Sequence, residues 1–153
     1  MSRSKRILKE LHLEKLPFKF KFEDQLNKFS THIIKDLRLS FEEINHTEGT
    51  RWCFSTIKKA KVFLIIFEAS ETGEKIYKEE IAKRLSEYSY KTIATIIDEG
   101  LSKGVFVSLE PKIKKIKDKK VKNIRPSEEV TAAFINWNIS RISSAHNIFK
   151  KYR

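Results

Sequence analysis

Hydroxyl and ammonium groups are concentrated near the start of one predicted helix, which runs from about Ser89 to Lys103. Such groups donate hydrogen bonds to phosphate oxygens, lysine also reaches the acceptors of guanine, and a threonine methyl contacts a thymine methyl. Apolar residues at helical spacing (Ile93, Ile97, Leu101) predict the helix and place the other side chains toward solvent or a ligand. The outward positions with this chemistry are Ser89, Tyr90, Lys91, Thr92 and Thr95, while Glu99 and Ser102 lie on the same face.

The alternative for each of these residues is an ordinary exposed position on a helix. Charge elsewhere in the chain favours the binding interpretation. Residues 111–125 carry eight basic residues and one acidic residue, a net charge of +7, and residues 1–22 carry seven and two, a net charge of +5. These two segments account for the whole formal net charge of +12, so the rest of the chain is neutral overall.

Basic charge confined to two segments favours an anionic partner such as nucleic acid, although lysines that only aid solubility are the alternative. We expect the lysines of the second segment to attract phosphates without distinguishing base sequences. These lysines are Lys112, Lys114, Lys115, Lys117, Lys119 and Lys120.

The elements around the candidate helix follow a definite order. A first short helix is predicted over about 76–85, and Ser89 is placed to cap the second helix. Gly104 is expected to end that helix in a left-handed cap, and a β-type run follows at 105–107. The basic segment and a second short strand at 121–125 complete a hairpin. This order is typical of a winged helix-turn-helix, whose second helix enters the DNA major groove.

Longer helices are predicted toward both ends of the chain. Apolar residues recur every three or four positions from Glu23 to about Ile44, and residues 45–50 are predicted to form a loop. Ser127, followed by two glutamates, is predicted to begin a helix that continues to about Lys151. Its wide apolar arc predicts burial by more than one neighbour, partly by a second subunit. The arc consists of Val130, Phe134, Trp137, Ala145 and Ile148 in one row, and Ile135, Ile139, Ile142 and Phe149 in another.

Two segments admit more than one interpretation. The run from Trp52 to Ala69 has strand-like composition and helical spacing, and we favour a helix because the two-helix unit needs a partner beneath it. Residues 1–22 combine a short helical stripe with alternating phenylalanine and lysine, so a strand and an extended arm are both open. The basic arm would follow the DNA backbone or minor groove, or its phenylalanines would dock on a partner subunit.

Short motifs in and around the two-helix unit carry a family resemblance. They are Ile81-Ala82, Thr92-Ile93, Ile97-Asp98-Glu99, Lys103-Gly104 and Arg125-Pro126-Ser127-Glu128. On these motifs residues 55–130, and by element order most of the chain, resemble the MarR-type winged helix-turn-helix regulators. The resemblance implies a homodimer in which the first and last helices of two subunits interlace. Two departures are Thr95, where arginine is frequent, and Gly100, which costs about 1 kcal/mol of helix stability relative to alanine.

The expected fold class is therefore mainly α, an α+β winged helix-turn-helix with long N- and C-terminal dimerisation helices. Four parts are predicted within the 153 residues. They are a basic N-terminal arm (1–22), an N-terminal helix and loop for dimerisation (23–50), a DNA-binding winged helix-turn-helix (51–126) and a C-terminal dimerisation helix (127–153).

Catalysis, metal binding and membrane insertion find little support. The four histidines lack paired ligand spacing and the four glycines form no phosphate loop, so we expect no enzyme, no cofactor and no metal. The single cysteine, Cys53, excludes an intramolecular disulfide, and a buried structural thiol is favoured over a redox sensor.

The longest apolar run, 62–67, is far shorter than the roughly 20 residues of a bilayer span. No signal peptide is visible, and we expect a cytoplasmic, nucleoid-associated protein. A small-molecule effector has slight support, from the loop between His46 and Trp52.

The leading hypothesis is a homodimeric transcriptional regulator that binds double-stranded DNA sequence-specifically. Helix 89–103 would lie in the major groove and segment 110–122 on the backbone or minor groove, at half-sites about one helical turn apart. The alternative is a non-specific architectural or RNA-binding winged-helix module, or an accessory subunit that binds an acidic protein. A third hypothesis is a membrane-surface protein that uses the basic arm.

Replacing Lys114, Lys115 and Lys117 by alanine should weaken DNA binding to a similar extent on all sequences and flatten its salt dependence, because these lysines are expected to contact only phosphates. Binding titrations over a range of salt concentrations test this. Unchanged affinity for random DNA would contradict the predicted role of the segment.

Overall fold

The computed structural model describes residues 2–11, 20, 23–109 and 123–152, and it divides into two compact units. One unit comprises the described residues up to Glu43 together with 136–152, and the other comprises those from Ile44 to Ile135. Helices account for 75% of the described residues and the only sheet there has two antiparallel strands, so the predicted mainly helical class is confirmed. The elements in chain order are α1 (Arg3–Glu10), α2 (Glu23–Ile44), α3 (Glu48–Cys53), α4 (Ile57–Glu71), α5 (Lys78–Arg84), α6 (Tyr90–Ser102), β1 (Phe106–Leu109), β2 (Asn123–Pro126) and α7 (Glu128–Tyr152).

The core of the unit formed by 44–135 lies among α4, α5, α6 and the sheet. Helix α4 confirms the predicted helical interpretation of the run up to Ala69, but a turn at 54–56 separates α4 from the short helix α3. Each of these elements, and the segment before α5, contributes fully buried apolar side chains, because an element can bury its apolar face only against its neighbours. The largest of them are Phe63, Ile66, Ile76, Ile81, Ile93, Ile97, Phe106 and Ile124.

The predicted loop over 45–50 is wrong in its second half, because Glu48 already begins helix α3. The hydroxyl of Thr50 is buried and donates a hydrogen bond of 2.6 Å to the carbonyl oxygen of Ile44, which ties the helix to the preceding turn. A Cβ atom on Gly49 would lie 2.5 Å from Cγ2 of Val130. Gly49, which lies in the predicted loop, therefore permits close packing against α7.

Ile76 lies before the first helix of the two-helix unit rather than in it, since α5 starts only at Lys78. The segment 74–77 lies outside any helix or strand, and the Ile124 amide of β2 donates to the Ile76 carbonyl at 3.0 Å. The Ile76 amide in turn donates to Oδ1 of Asn123 at 3.1 Å. The apolar spacing that predicted a longer helix thus reflects burial of Ile76 against the sheet.

Helix α6 has the ends that the sequence predicts. Its N-cap is Ser89, whose hydroxyl accepts a hydrogen bond of 3.2 Å from the amide of Thr92. After the helix, Gly104 has a φ of +73°, and the Val105 amide donates to the carbonyl of Gly100 at 2.9 Å. This left-handed turn satisfies carbonyls that the helix end would otherwise leave unpaired.

Gly100 lies where two aromatic rings approach helix α6 most closely. A Cβ atom at this position would lie 2.3 Å from Cδ2 of Phe106 and 3.1 Å from Cη2 of Trp52. The two rings meet edge to face with centroids 5.7 Å apart. Glycine at this position lowers the intrinsic stability of the helix. It also leaves room for the Phe106 and Trp52 rings, which a larger residue would displace.

Strands β1 and β2 pair with Phe106 opposite Pro126 and Leu109 opposite Asn123. The predicted second strand, 121–125, is observed from Asn123 to Pro126, and residues 110–122 lie outside the described residues. Ser127 caps α7 as predicted, because its hydroxyl accepts from the amide of Val130 at 3.2 Å.

The second unit contains α1, α2 and the later part of α7. The predicted helix from Glu23 to Ile44 is confirmed, and the indole N–H of Trp137 donates to the Ser40 carbonyl at 2.6 Å. The short helical stripe predicted near the start is helix α1, whereas most of the alternating phenylalanine and lysine run lies outside the described residues. None of the helices that the structure describes combines the length and apolar character needed to cross a membrane.

Large apolar side chains on this unit are exposed in the single chain. On α7, Ile139 and Ile142 of the second predicted apolar row are 59% and 62% exposed. On α2, Ile34 and Phe41 are 65% and 55% exposed. The wide apolar arc that the sequence predicts on α7 is thus only partly covered by the rest of its own chain.

Replacing Gly100 by alanine should lower the free energy of unfolding by about 1–3 kcal/mol, because the added methyl group overpacks the Phe106 and Trp52 rings. Urea denaturation measures this change. Ser102→Ala, at an exposed position of the same helix, is the control and should change the free energy by less than about 0.5 kcal/mol. A gain near the helix-propensity value of about 1 kcal/mol for Gly100→Ala would contradict the close packing.

Candidate functional site

The outward surface of helix α6 carries the five residues predicted to make contacts. Ser89, Tyr90, Lys91 and Thr95 are exposed and Thr92 is half-buried. They occupy the N-cap and the first turns, and Lys91 and Thr95 lie on the side of the helix opposite its buried residues. Those buried residues are Ile93, Ile96, Ile97 and Gly100.

The hydroxyl groups on this surface already have local partners. Ser89 Oγ accepts from the Thr92 amide and lies 2.9 Å from the Thr92 hydroxyl. The Thr95 hydroxyl donates to the Lys91 carbonyl at 2.8 Å, so the methyl group is what Thr95 retains for an outside contact. Tyr90, which is 51% exposed, and the ammonium of Lys91 are the larger groups available for a ligand.

A cluster of two lysines and a tyrosine beside the start of α6 was missed by sequence reasoning. The ammonium groups of Lys58 and Lys61, both on α4, each lie 5.4 Å from the ring centroid of Tyr88. This is within the distance at which a cation is attracted to an aromatic face. Because Tyr88 immediately precedes the N-cap Ser89, the cluster adjoins the candidate contact surface.

The cluster is held together by charge as well as by the ring. Lys61 Nζ forms an ion pair of 3.1 Å with Glu87, and this hydrogen bond, followed by that to Tyr88, raises the pKa of Lys61. With Lys58, Lys61 and Lys91 against Glu87, the surface has three cations and one anion, a net charge of +2. The net charge of the sequence does not reveal this basic cluster, because residues 23–110 are nearly neutral as a whole. The fold brings basic residues together on this surface and places most acidic residues elsewhere.

Glu99 does not face outward freely, contrary to the prediction from helical spacing. Its carboxylate accepts a hydrogen bond of 2.7 Å from the indole N–H of Trp52 and lies 3.7 Å from Lys59 Nζ. The hydrogen bond from Trp52 is the main cause of a lowered pKa of Glu99. Lys59 Nζ also lies 4.9 Å from the Trp52 ring centroid. These contacts fix α6 against α3 and α4.

An ion pair with α5 provides a second attachment of α6. Lys78 Nζ lies 2.7 Å from Oδ1 of Asp98. The acidic residues in the second half of α6 are therefore paired within the protein, and the exposed cationic and hydroxyl groups lie in its first half.

A cavity of about 260 Å³ lies beside the end of α6, in the unit formed by 44–135. Trp52 lines this cavity, together with Lys103 and Gly104, whereas His46 does not. Its volume is below the range of about 300–1,000 Å³ that is usual for small-molecule pockets. The predicted effector pocket at this loop stays a prediction.

Within the described residues, no group of three or more His, Cys, Asp or Glu side chains is arranged to hold a metal ion. Cys53 is fully buried, as favoured from the sequence, and its burial raises the pKa of the thiol to about 12. Desolvation disfavours the thiolate, which is the reactive form.

The lysine-rich segment lies outside the described residues, although the paired ends of β1 and β2, Leu109 and Asn123, show where it departs and returns. The six predicted lysines concerned are Lys112, Lys114, Lys115, Lys117, Lys119 and Lys120.

Comparison with protein-family models, with curated proteins and with solved structures found no match to this chain. The resemblance to MarR-type regulators therefore stays a prediction from sequence motifs. What the surface around α6 binds is inferred from its own geometry and charge.

Iodoacetamide should modify Cys53 in the folded protein at least about a hundredfold more slowly than in urea, because a thiol with a pKa near 12 has almost no thiolate at pH 8. Mass spectrometry of the alkylated chain follows the reaction. Comparable rates in the folded and unfolded protein would show that the thiol is accessible and ionised.

Proposed function

We propose that this chain is a winged helix-turn-helix protein that binds double-stranded DNA with helix α6 in the major groove. The observation that carries the proposal is the arrangement of the unit 44–135. Helix α6 follows α5 after a short turn, buries one face in the core, exposes the first half of its other face and leads into a two-stranded hairpin. A helix presented in this way is the element with which helix-turn-helix proteins read base pairs.

The surface residues divide by the type of contact that their chemistry favours. Lys91, Tyr90 and the methyl group of Thr95 are proposed to reach base edges. Lys58 and Lys61, held around Tyr88, are proposed to bind backbone phosphates beside the start of α6. The lysines between β1 and β2 would extend the phosphate contacts as the wing, and the basic arm would add to them.

A homodimer is supported by the exposed apolar side chains of α2 and α7. Ile34, Phe41, Ile139 and Ile142 are each more than half exposed, and several neighbours on α2 are also uncovered. Exposed apolar residues concentrated on two long helices indicate a protein interface. A two-fold dimer through these helices would present two α6 helices to half-sites about one helical turn apart, as in the MarR-type regulators that the sequence resembles.

The charge of α6 supports one alternative, a non-specific architectural role. Lys91 is the one cation of the helix, whereas Asp98 and Glu99 are both paired within the protein. Affinity would then come chiefly from the lysine clusters, which do not distinguish sequences. In either role the chain acts as a binding protein rather than an enzyme, in the cytoplasm and at the nucleoid.

Competition titrations with full-length protein test the proposal. The probe is a duplex selected from a random library by the protein itself, and the competitors are random duplex, single-stranded DNA and double-stranded RNA. The selected duplex should bind most tightly, and its affinity should fall steeply with salt. Lys91→Ala should cost about 1–3 kcal/mol on the selected duplex and less on random duplex.

Lys58→Ala should instead weaken binding equally on both duplexes and reduce the salt slope by about 1. Lys150→Ala removes one exposed lysine from the other unit and is the control for the loss of a charge. Failure of the protein to prefer duplex DNA over single-stranded DNA and RNA would contradict the proposed function, and equal affinity for selected and random duplexes would favour the architectural alternative.

A further inference from the structure

We infer that the unit formed by residues 2–43 and 136–152 has a binding site of its own for a phosphorylated small molecule of the nucleotide class. The site is a groove of about 450 Å³ between α2 and the last turn of α7. This volume lies within the range of about 300–1,000 Å³ that small-molecule pockets occupy.

Basic side chains line the groove from two helices. Lys28, His32 and Lys35 follow each other at intervals of four and three residues, so they share one face of α2. Lys151 lines the groove from the end of α7. The ammonium groups of Lys35 and Lys151 thus line one groove from two different helices.

The described residues that line the groove include no acidic side chain. Asp36, which follows Lys35 in the chain, is hydrogen-bonded to Ser144. A surface lined by basic side chains attracts a ligand of the opposite charge. A ligand with two or more negative charges matches this groove, and phosphate groups bring both the charge and the acceptor oxygens that ammonium groups bind.

Aromatic rings beside the lysines favour a ligand that also carries a ring. Tyr152 lines the groove with its ring 5.2 Å from that of Phe29, edge to face, and 6.2 Å from that of His32. Lys151 Nζ lies 5.7 Å from the Tyr152 ring centroid. A nucleotide base that stacks on Tyr152 would place its phosphates among the lysines, since stacking of a base on an aromatic side chain is favourable for every base.

The rings also argue against duplex DNA as the occupant. The bases of a duplex are stacked on one another and present no free face to Tyr152, whereas the base of a mononucleotide does. The inference is independent of DNA binding by α6, because the groove and that helix belong to different units.

Isothermal titration calorimetry of the full chain with ATP in the absence of magnesium tests the site, with tripolyphosphate and adenosine as partial ligands. ATP should bind more tightly than tripolyphosphate, and adenosine should bind least. Lys35→Ala/Lys151→Ala should weaken ATP and tripolyphosphate by about tenfold or more. Tyr152→Leu should weaken ATP but leave tripolyphosphate unchanged.

The chain has other lysines that attract polyphosphates, so Lys114→Ala/Lys115→Ala/Lys117→Ala is the matched control and should leave ATP affinity within about threefold. Lys35→Gln/Lys151→Gln retains most of each side chain and should reproduce the loss if the ammonium groups are responsible. Equal affinity of the groove variants and the intact chain, a loss confined to the control variant, or no ATP binding would each overturn the inference. Tighter binding of single-stranded DNA than of ATP, with the same dependence on Tyr152, would assign the groove to nucleic acid instead.

Discussion

The approach of Phe106 and Trp52 to Gly100 fixes where helix α6 lies in its unit. With no side chain at this position, the edge of Phe106 from β1 and the indole of Trp52 from α3 reach the helix backbone. The indole N–H then binds Glu99, the neighbour of Gly100, and the next residue along, Asp98, pairs with Lys78 of α5. The second half of α6 is thus held by packing and polar contacts from three sides. In the first half only the outer face is left uncovered, and Ser89 and Lys91 are exposed there.

This arrangement separates the groups that attach α6 to its unit from the groups available to an anionic ligand. The acidic groups of α6 form contacts within the protein, so they do not repel such a ligand. The cations that adjoin the exposed end of α6 come from α4. Lys58 and Lys61 are kept in place by Tyr88 and Glu87 rather than by α6 itself. In the proposed complex, phosphates would be bound by a preassembled cluster, and α6 would contribute shape and a few base contacts. Because both acidic residues of α6 are paired within the protein, its one lysine and two acidic residues are compatible with DNA binding.

The sequence allowed prediction of features that are local in the chain. Ser89, Gly104 and Ser127 act within a few residues of themselves, and the helix ends that they predict are observed. Features that depend on residues distant in sequence were predicted poorly. Ile76 follows helical spacing, but it is buried against the strand at 123–126. Gly49 lies in the predicted loop, whereas in the structure it belongs to helix α3 and packs against Val130. The lysine cluster around Tyr88 and the groove at the end of α7 each join segments more than 25 residues apart, and net charge summed along the chain conceals both.

The most direct measurement of the central claim is a residue-resolved NMR titration of the isotope-labelled full chain with duplex DNA. Amide shifts should change most at 56–61 and 87–95, and at the residues between β1 and β2, while the second half of α6 and the core of its unit change little. Shift changes confined to α2 and the end of α7, or spread evenly over all exposed lysines, would contradict the account.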